Sequence, residues 1–164
     1  MPQIQFCPTC RAINLRETTL CEQCKMSLIA DKPLLYEQKL LWALSHPLPD
    51  MRELAARLLG ERRHHQILPL LMERLLEETD SGVLCAISET LGRLGDCQAA
   101  TALAERLAQP NTLVVALTIV DALATLARTG CWEALDVLKA PPTVAERVRR
   151  EITARWETLN RLYW

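Results

Sequence analysis

From about residue 34 onward, apolar residues recur three and four positions apart, the spacing that lines one face of an α-helix. The clearest stretch runs from about Val83 to Gln109, VLCAISETLGRLGDCQAATALAERLAQ. It reads as two apolar-striped helices joined by a tight turn at Leu94-Gly95-Asp96. Shifted back by 32 residues, it lays Leu91-Gly92 on Leu59-Gly60, and Leu103, Glu105, Arg106 and Leu107 on Leu71, Glu73, Arg74 and Leu75. Shifted forward, Ile87, Leu91 and Leu94 fall on Ile119, Leu123 and Leu126, and Ala102-Leu103 on Ala134-Leu135. A period of this length marks stacked helical repeats, because one helix pair cannot bury its apolar face alone.

The same patterning predicts the other elements. A first helix spans Leu34 to Ser45 and is ended by Pro47 and Pro49. Asp50-Met51-Arg52-Glu53 reads as a capping box opening a helix that stops near Gly60. A helix from about Gln66 to Glu78 takes Pro69 in its first turn. A third pair starts at Asn111, turns at Thr129-Gly130 and continues from Trp132 to Lys139. Thr143 to Glu146 reads as a second capping box, opening a last helix whose outer face is rich in Arg and Glu, as the end of a repeat stack requires.

Composition supports helices over sheets. Of 164 residues 49% are hydrophobic, yet there is one Phe and two Tyr, so the core rests on Leu and Ala. Lys and Arg total 19 against 20 Asp and Glu, which argues against a polyanion partner recruited by bulk charge. No basic stretch followed by an apolar one opens the chain, and the longest apolar stretch, about Leu113 to Val120, is too short to span a bilayer. A soluble, cytoplasmic protein is expected.

Seven cysteines change the picture at the N-terminus. Cys7-Pro8-Thr9-Cys10 and Cys21-Glu22-Gln23-Cys24 are two Cys-x-x-Cys turns ten residues apart, the arrangement that offers four thiolates to one tetrahedral Zn²⁺. About 30 residues cannot build a core of their own, so the metal must supply much of their folding free energy. Asp31-Lys32-Pro33 is the expected boundary, dividing a module over 1–30 from a helical domain over 31–164. Cys85, Cys97 and Cys131 read as buried or turn thiols without chemistry.

Phe6 to Leu28 resembles the short four-cysteine zinc ribbons of prokaryotic proteins. Phe6, Cys7, Pro8, Cys10, Ala12, Asn14, Cys21, Cys24, Ser27 and Leu28 fit that pattern, while Arg11 and Lys25 stand where Gly is usual. Gly there relieves strain at positive φ. Residues 34–140 resemble HEAT repeats, in particular the HEAT-like repeats associated with phycobilisome lyases. The resemblance is carried by Pro49-Asp50-Met51-Arg52-Glu53-Leu54-Ala55-Ala56-Arg57-Leu58-Leu59-Gly60 and by Leu91-Gly92-Arg93-Leu94-Gly95-Asp96. The third copy departs from it at Ala124. The resemblance implies an all-α fold, a right-handed α-solenoid with a small N-terminal zinc ribbon, and protein recognition as its mode of action.

Two kinds of candidate site follow. Cys7, Cys10, Cys21 and Cys24 are the metal ligands, with one structural zinc. In a HEAT stack the second helices line the concave face, so Glu73, Arg74 and Glu77 with Glu105 and Arg106 would form a charged ridge for a partner, or simply a solvated face with weak ion pairs. His64-His65, beside Arg62-Arg63, reads as a polar turn between helices. No nucleophile–base pair, phosphate loop or carboxylate pair is recognisable, so the expected function is a non-catalytic interaction scaffold for a protein partner. A phycobilin-lyase-like factor and a nucleic-acid-associated ribbon factor stay as alternatives, and Tyr163-Trp164 could support self-association.

Overall fold

The computed structural model describes residues 4–7, 10–28, 36–62 and 65–163. Two short strands, β1 (Ile4–Phe6) and β2 (Ile13–Leu15), pair antiparallel in the register Ile4–Leu15, Gln5–Asn14 and Phe6–Ile13. The rest is helical: α1 (Tyr36–Ala43), α2 (Pro49–Glu61), a 3₁₀ turn (His65–Ile67), α3 (Leu68–Glu77), α4 (Ser81–Leu94), α5 (Ala99–Ala108), α6 (Leu113–Arg128), α7 (Trp132–Lys139) and α8 (Glu146–Tyr163).

The helices fall into two layers. In one, α2 packs on α4, α4 on α6 and α6 on α8; in the other, α3 packs on α5 and α5 on α7. α1 packs on α2 at one end, and α8 covers both α6 and α7 at the other. Between the layers Leu59, Leu71, Leu91, Leu103, Ile119 and Leu123 are wholly inaccessible. Each such side chain is worth roughly 1.5–3 kcal/mol of burial. They are the repeated positions of the 32-residue pattern, so the period is the core.

Local signals explain the strongest boundaries. The Asp80 carboxylate accepts from the Gly82 and Val83 amides at 2.9 and 3.1 Å, which caps α4. Gly95, at φ +75°, ends that helix in the left-handed region open to glycine. Other boundaries differ from expectation. α2 begins at Pro49, with Leu48 in the capping position and no side-chain cap. Proline's fixed φ and missing N–H suit the first helical position; they move the start ahead of Asp50, and Glu53 bonds to Arg57 instead of closing a capping box. α6 is capped by Thr112, not Asn111. Asn111 instead donates from Nδ2 to the carbonyls of Arg106 and Gln109, both at 2.8 Å, closing the end of α5. Residues 34 and 35, at the expected start of the first helix, lie outside the described residues, as do Arg63, His64 and Trp164.

Glycine has a different role in the repeat from the one its place near a helix end suggests. Gly60 and Gly92 lie inside α2 and α4. A Cβ on Gly60 would stand 2.7 Å from Thr90 Oγ1, and one on Gly92 3.0 Å from Ala122 Cα. The Leu-Gly pair therefore lets the next first-layer helix approach closely. Thr90 and Ala122 are themselves one period apart. The third copy carries Ala124, which faces a groove of about 480 Å³ between α6 and α8, where no such approach is required.

Candidate metal centre and the cleft beside it

The two Cys-x-x-Cys turns are built alike, residue for residue. In the first, the Cys7 amide donates to the Ala12 carbonyl and the Arg11 amide to the Cys7 carbonyl, both at 2.9 Å; in the second, Cys21 donates to Met26 at 2.8 Å and Lys25 to Cys21 at 2.9 Å. Each turn needs its fifth residue in the left-handed region, and Arg11 (φ 63°) and Lys25 (φ 60°) occupy it. Neither is glycine, so each stores roughly 1 kcal/mol or less of strain.

Asn14, buried on β2, ties the two turns together. Its Nδ2 donates to the Ala12 carbonyl at 2.8 Å and lies 3.7 Å from Cys21 Sγ, while its Oδ1 accepts from the Glu22 amide at 2.9 Å. The result brings Cys7 Sγ to 3.5 Å from Cys24 Sγ and Cys10 Sγ to 3.4 Å from Cys21 Sγ, with all four sulfurs within 4.8 Å of one another. Four thiolates at about 2.3 Å from one tetrahedral ion would stand about 3.8 Å apart, so the donor set could hold a metal ion with little movement.

The acid–base balance of the cluster points the same way. The Cys24 amide, then Cys10 and the Gln23 amide, hold the Cys21 thiol down to about 6 against burial. Despite the Ala12 amide, burial and the sulfurs of Cys24, Cys21 and Cys7 push Cys10 up to about 12. One thiolate therefore opposes its neighbours' ionisation, and a dication at the centre would remove that opposition.

This module sits against the start of the helices. Phe6 meets His46 edge-on at a centroid distance of 6.0 Å, and His46 in turn meets Trp42 at 5.6 Å. Beside this contact lies a cleft of about 310 Å³ where Arg11 faces Ser45, Arg52, Arg74, Glu77 and Glu78. Arg52 is held by Glu78 through two bonds of 2.8 and 3.0 Å and also donates to the His46 and Pro47 carbonyls. Burial alone would raise Glu78, but the Arg52 guanidinium and the Asp80 and Thr79 amides outweigh it and hold its carboxyl below the usual range. Arg74 donates to Ser45 Oγ at 2.9 Å and pairs with Glu77 at 3.5 Å. Burial and the nearby charges of Arg74 and Arg52 lower Arg11.

The expected ridge on the second helices is only partly present. Glu73, Glu77 and Glu105 are exposed and Arg74 is half-buried. Arg106 is not on the surface: it is 8% exposed, with Nη1 turned to Gln109 Oε1 at 2.5 Å. Burial lowers its pKa. Gln109 lies in the loop after α5, which Asn111 folds back onto the Arg106 carbonyl.

The structure also pairs two cysteines that read as unrelated. Cys97 and Cys131 open the second halves of successive repeats, and their sulfurs lie within 4.8 Å of each other and of a Glu133 carboxylate oxygen. Their 34-residue separation, close to the repeat period, is the sequence signal for that contact. The Cys131 thiol donates to Glu133 Oε2 at 3.3 Å, and burial, the Cys97 thiol and Glu133 push it up to about 12. It is a protonated thiol at neutral pH and a poor nucleophile. Cys85 is buried and accepts from Thr118 Oγ1 at 3.5 Å.

Among the described residues no helix is long and apolar enough to cross a membrane. No curated protein matches the chain. HEAT repeats match residues 37–124, a span that begins in α1 and ends in α6. It takes in the complete Val83–Gln109 unit and the close-approach glycines Gly60 and Gly92. With more than half of the sequence matched and the helices layered at the repeat period, the chain belongs to the HEAT-repeat family.

Proposed function

We propose that the protein is a non-catalytic scaffold that recognises a protein partner, built as a right-handed solenoid over residues 31–164 and closed at its N-terminal end by a zinc ribbon over 1–30. The observation that carries this reading is the HEAT match over 37–124, because HEAT repeats commonly mediate protein interactions. Cys7, Cys10, Cys21 and Cys24 would hold one structural Zn²⁺. A four-thiolate set leaves no position for substrate or water, which suits a structural ion and not a catalytic one. The partner surface would follow the second helices, through Glu73, Arg74, Glu77 and Glu105. Arg106, being buried, would support that face from beneath.

Two measurements test the reading. Elemental analysis of the purified chain should give one zinc per chain, and Cys21→Ser should lose it; a redox-active metal, or none, removes the metal part. Affinity capture from native extract should recover a partner with the wild-type chain and lose it with the Glu73→Lys/Glu105→Lys variant. Equal capture by both would refute the partner surface.

A further inference from the structure

We propose that the cleft between the first metal-binding turn and the α1–α2 turn seats one carboxylate side chain of an acidic segment of a protein partner, with Arg11 as the guanidinium that receives it. The proposal rests on the interaction reading above and names the chemistry of what is recognised.

Three observations converge on the cleft. Arg11 occupies a left-handed backbone position, φ 63°, that glycine would fill without strain. The arginine there puts a cation on the wall of a cleft that Arg52 and Arg74 also line. Secondly, the charges do not balance. Arg52 is satisfied by Glu78 and Arg74 is partnered by Glu77. Among the described residues no carboxylate pairs with Arg11, so the Arg and Glu side chains lining the cleft sum to one positive charge, the thiolates of the adjoining turn not included. Thirdly, Arg74 lines the same cleft with its side chain 35% exposed, engaged by Ser45 Oγ at 2.9 Å and by Glu77 at 3.5 Å. A single carboxylate matches the one unpaired guanidinium and can reach Arg74 as well: it has one negative charge, and its two oxygens can accept from two guanidinium groups at once.

The same walls select against other anions. Glu77 and Glu78 line the cleft and would repel a dianionic phosphate more than a monoanion. The chain as a whole carries a net charge of −1, so a polyanion gains no general attraction. About 310 Å³ suits an acidic side chain and its adjoining backbone, and Leu44 and Pro47 add apolar contact for the rest of the segment.

The test uses the full ¹⁵N-labelled, metal-loaded chain. It is titrated separately with N-acetyl-glutamic acid α-amide, with its neutral glutamine analogue, and with inorganic phosphate. Shifts are expected at the Arg11, Ser45, His46 and Arg74 resonances with the glutamate compound, and none with the glutamine one. Arg11→Gly should weaken the response at least tenfold while keeping the metal and the fold, since glycine suits that backbone position. No shift, an equal response to glutamine, tighter binding of phosphate at the same resonances, or undiminished binding by Arg11→Gly would each overturn the proposal. These results are independent of the capture experiment: partner capture with no carboxylate response would sink this site and leave the scaffold reading standing.

Discussion

The Arg52–Glu78 pair should be the most pH-sensitive bond in the helical stack. It ties α2 to the end of α3, and its side chains are only 17% and 9% exposed, so solvent screens it little. Glu78 also accepts from the Thr79 and Asp80 amides, both at 2.9 Å. Replacing Glu78 with Gln keeps the volume and one acceptor oxygen but removes the charge, which should cost about 1.5–3 kcal/mol, the range for hydrogen bonds to charged groups. Replacing it with Ala strands the Arg52 guanidinium as well and should cost about 3–5 kcal/mol. The sign of the pH dependence follows from the depressed carboxyl. Its contribution is complete above the unfolded-state value near 4.3 and is lost as pH falls through the lower folded value. Urea unfolding from pH 7 down to pH 3 should therefore show the wild-type advantage over Glu78→Gln shrinking in the acid range. A double-mutant cycle with Arg52→Met should return a coupling of about 1.5 kcal/mol or more. A coupling below about 0.5 kcal/mol, typical of an exposed pair, or a Gln penalty unchanged across the pH range, would refute the argument.

Three further outcomes are expected. Chelation at neutral pH should expose the Cys7, Arg11, Cys21 and Lys25 amides to hydrogen exchange while α4–α6 keep their protection, because the layered core is separate from the metal; loss of protection in both would contradict that independence. Gly92→Val puts a Cβ 3.0 Å from the Ala122 Cα and should lower stability by about 1–3 kcal/mol in urea titration despite valine's better helix propensity; a neutral result would mean that α4 and α6 separate freely. Asp80→Ala removes the cap on two amides and should cost about 1–2 kcal/mol, read from the thermal midpoint; a shift within error would show that water replaces the carboxylate there.

The Cys-x-x-Cys turns were legible because their geometry is local. Cys-x-x-Cys closes over four residues, and both turns here carry their fifth residue, Arg11 and Lys25, in the left-handed region. Asn14 was legible only as part of a resemblance; its bonds to both turns give it a physical role. The Phe6–His46 contact and the Arg11 cleft were not legible. They join residues on opposite sides of the expected domain boundary, and no periodicity relates them.

Along the helices, the 32-residue recurrence of Leu and Ala determined which residues are helical and which face the core, since a 3.6-residue period and an apolar stripe leave few other packings. Depth and neighbours were decided by tertiary structure. Arg74 and Arg106 hold equivalent places in the repeat, yet one lines an open cleft and the other is buried and bonded to Gln109. Gly60 looks like a helix stop until the next helix is laid against it. Cys97 and Cys131 are lone thiols until stacking brings successive turns into contact. In each case the pattern specifies a direction from the helix axis, and what lies in that direction belongs to another part of the chain.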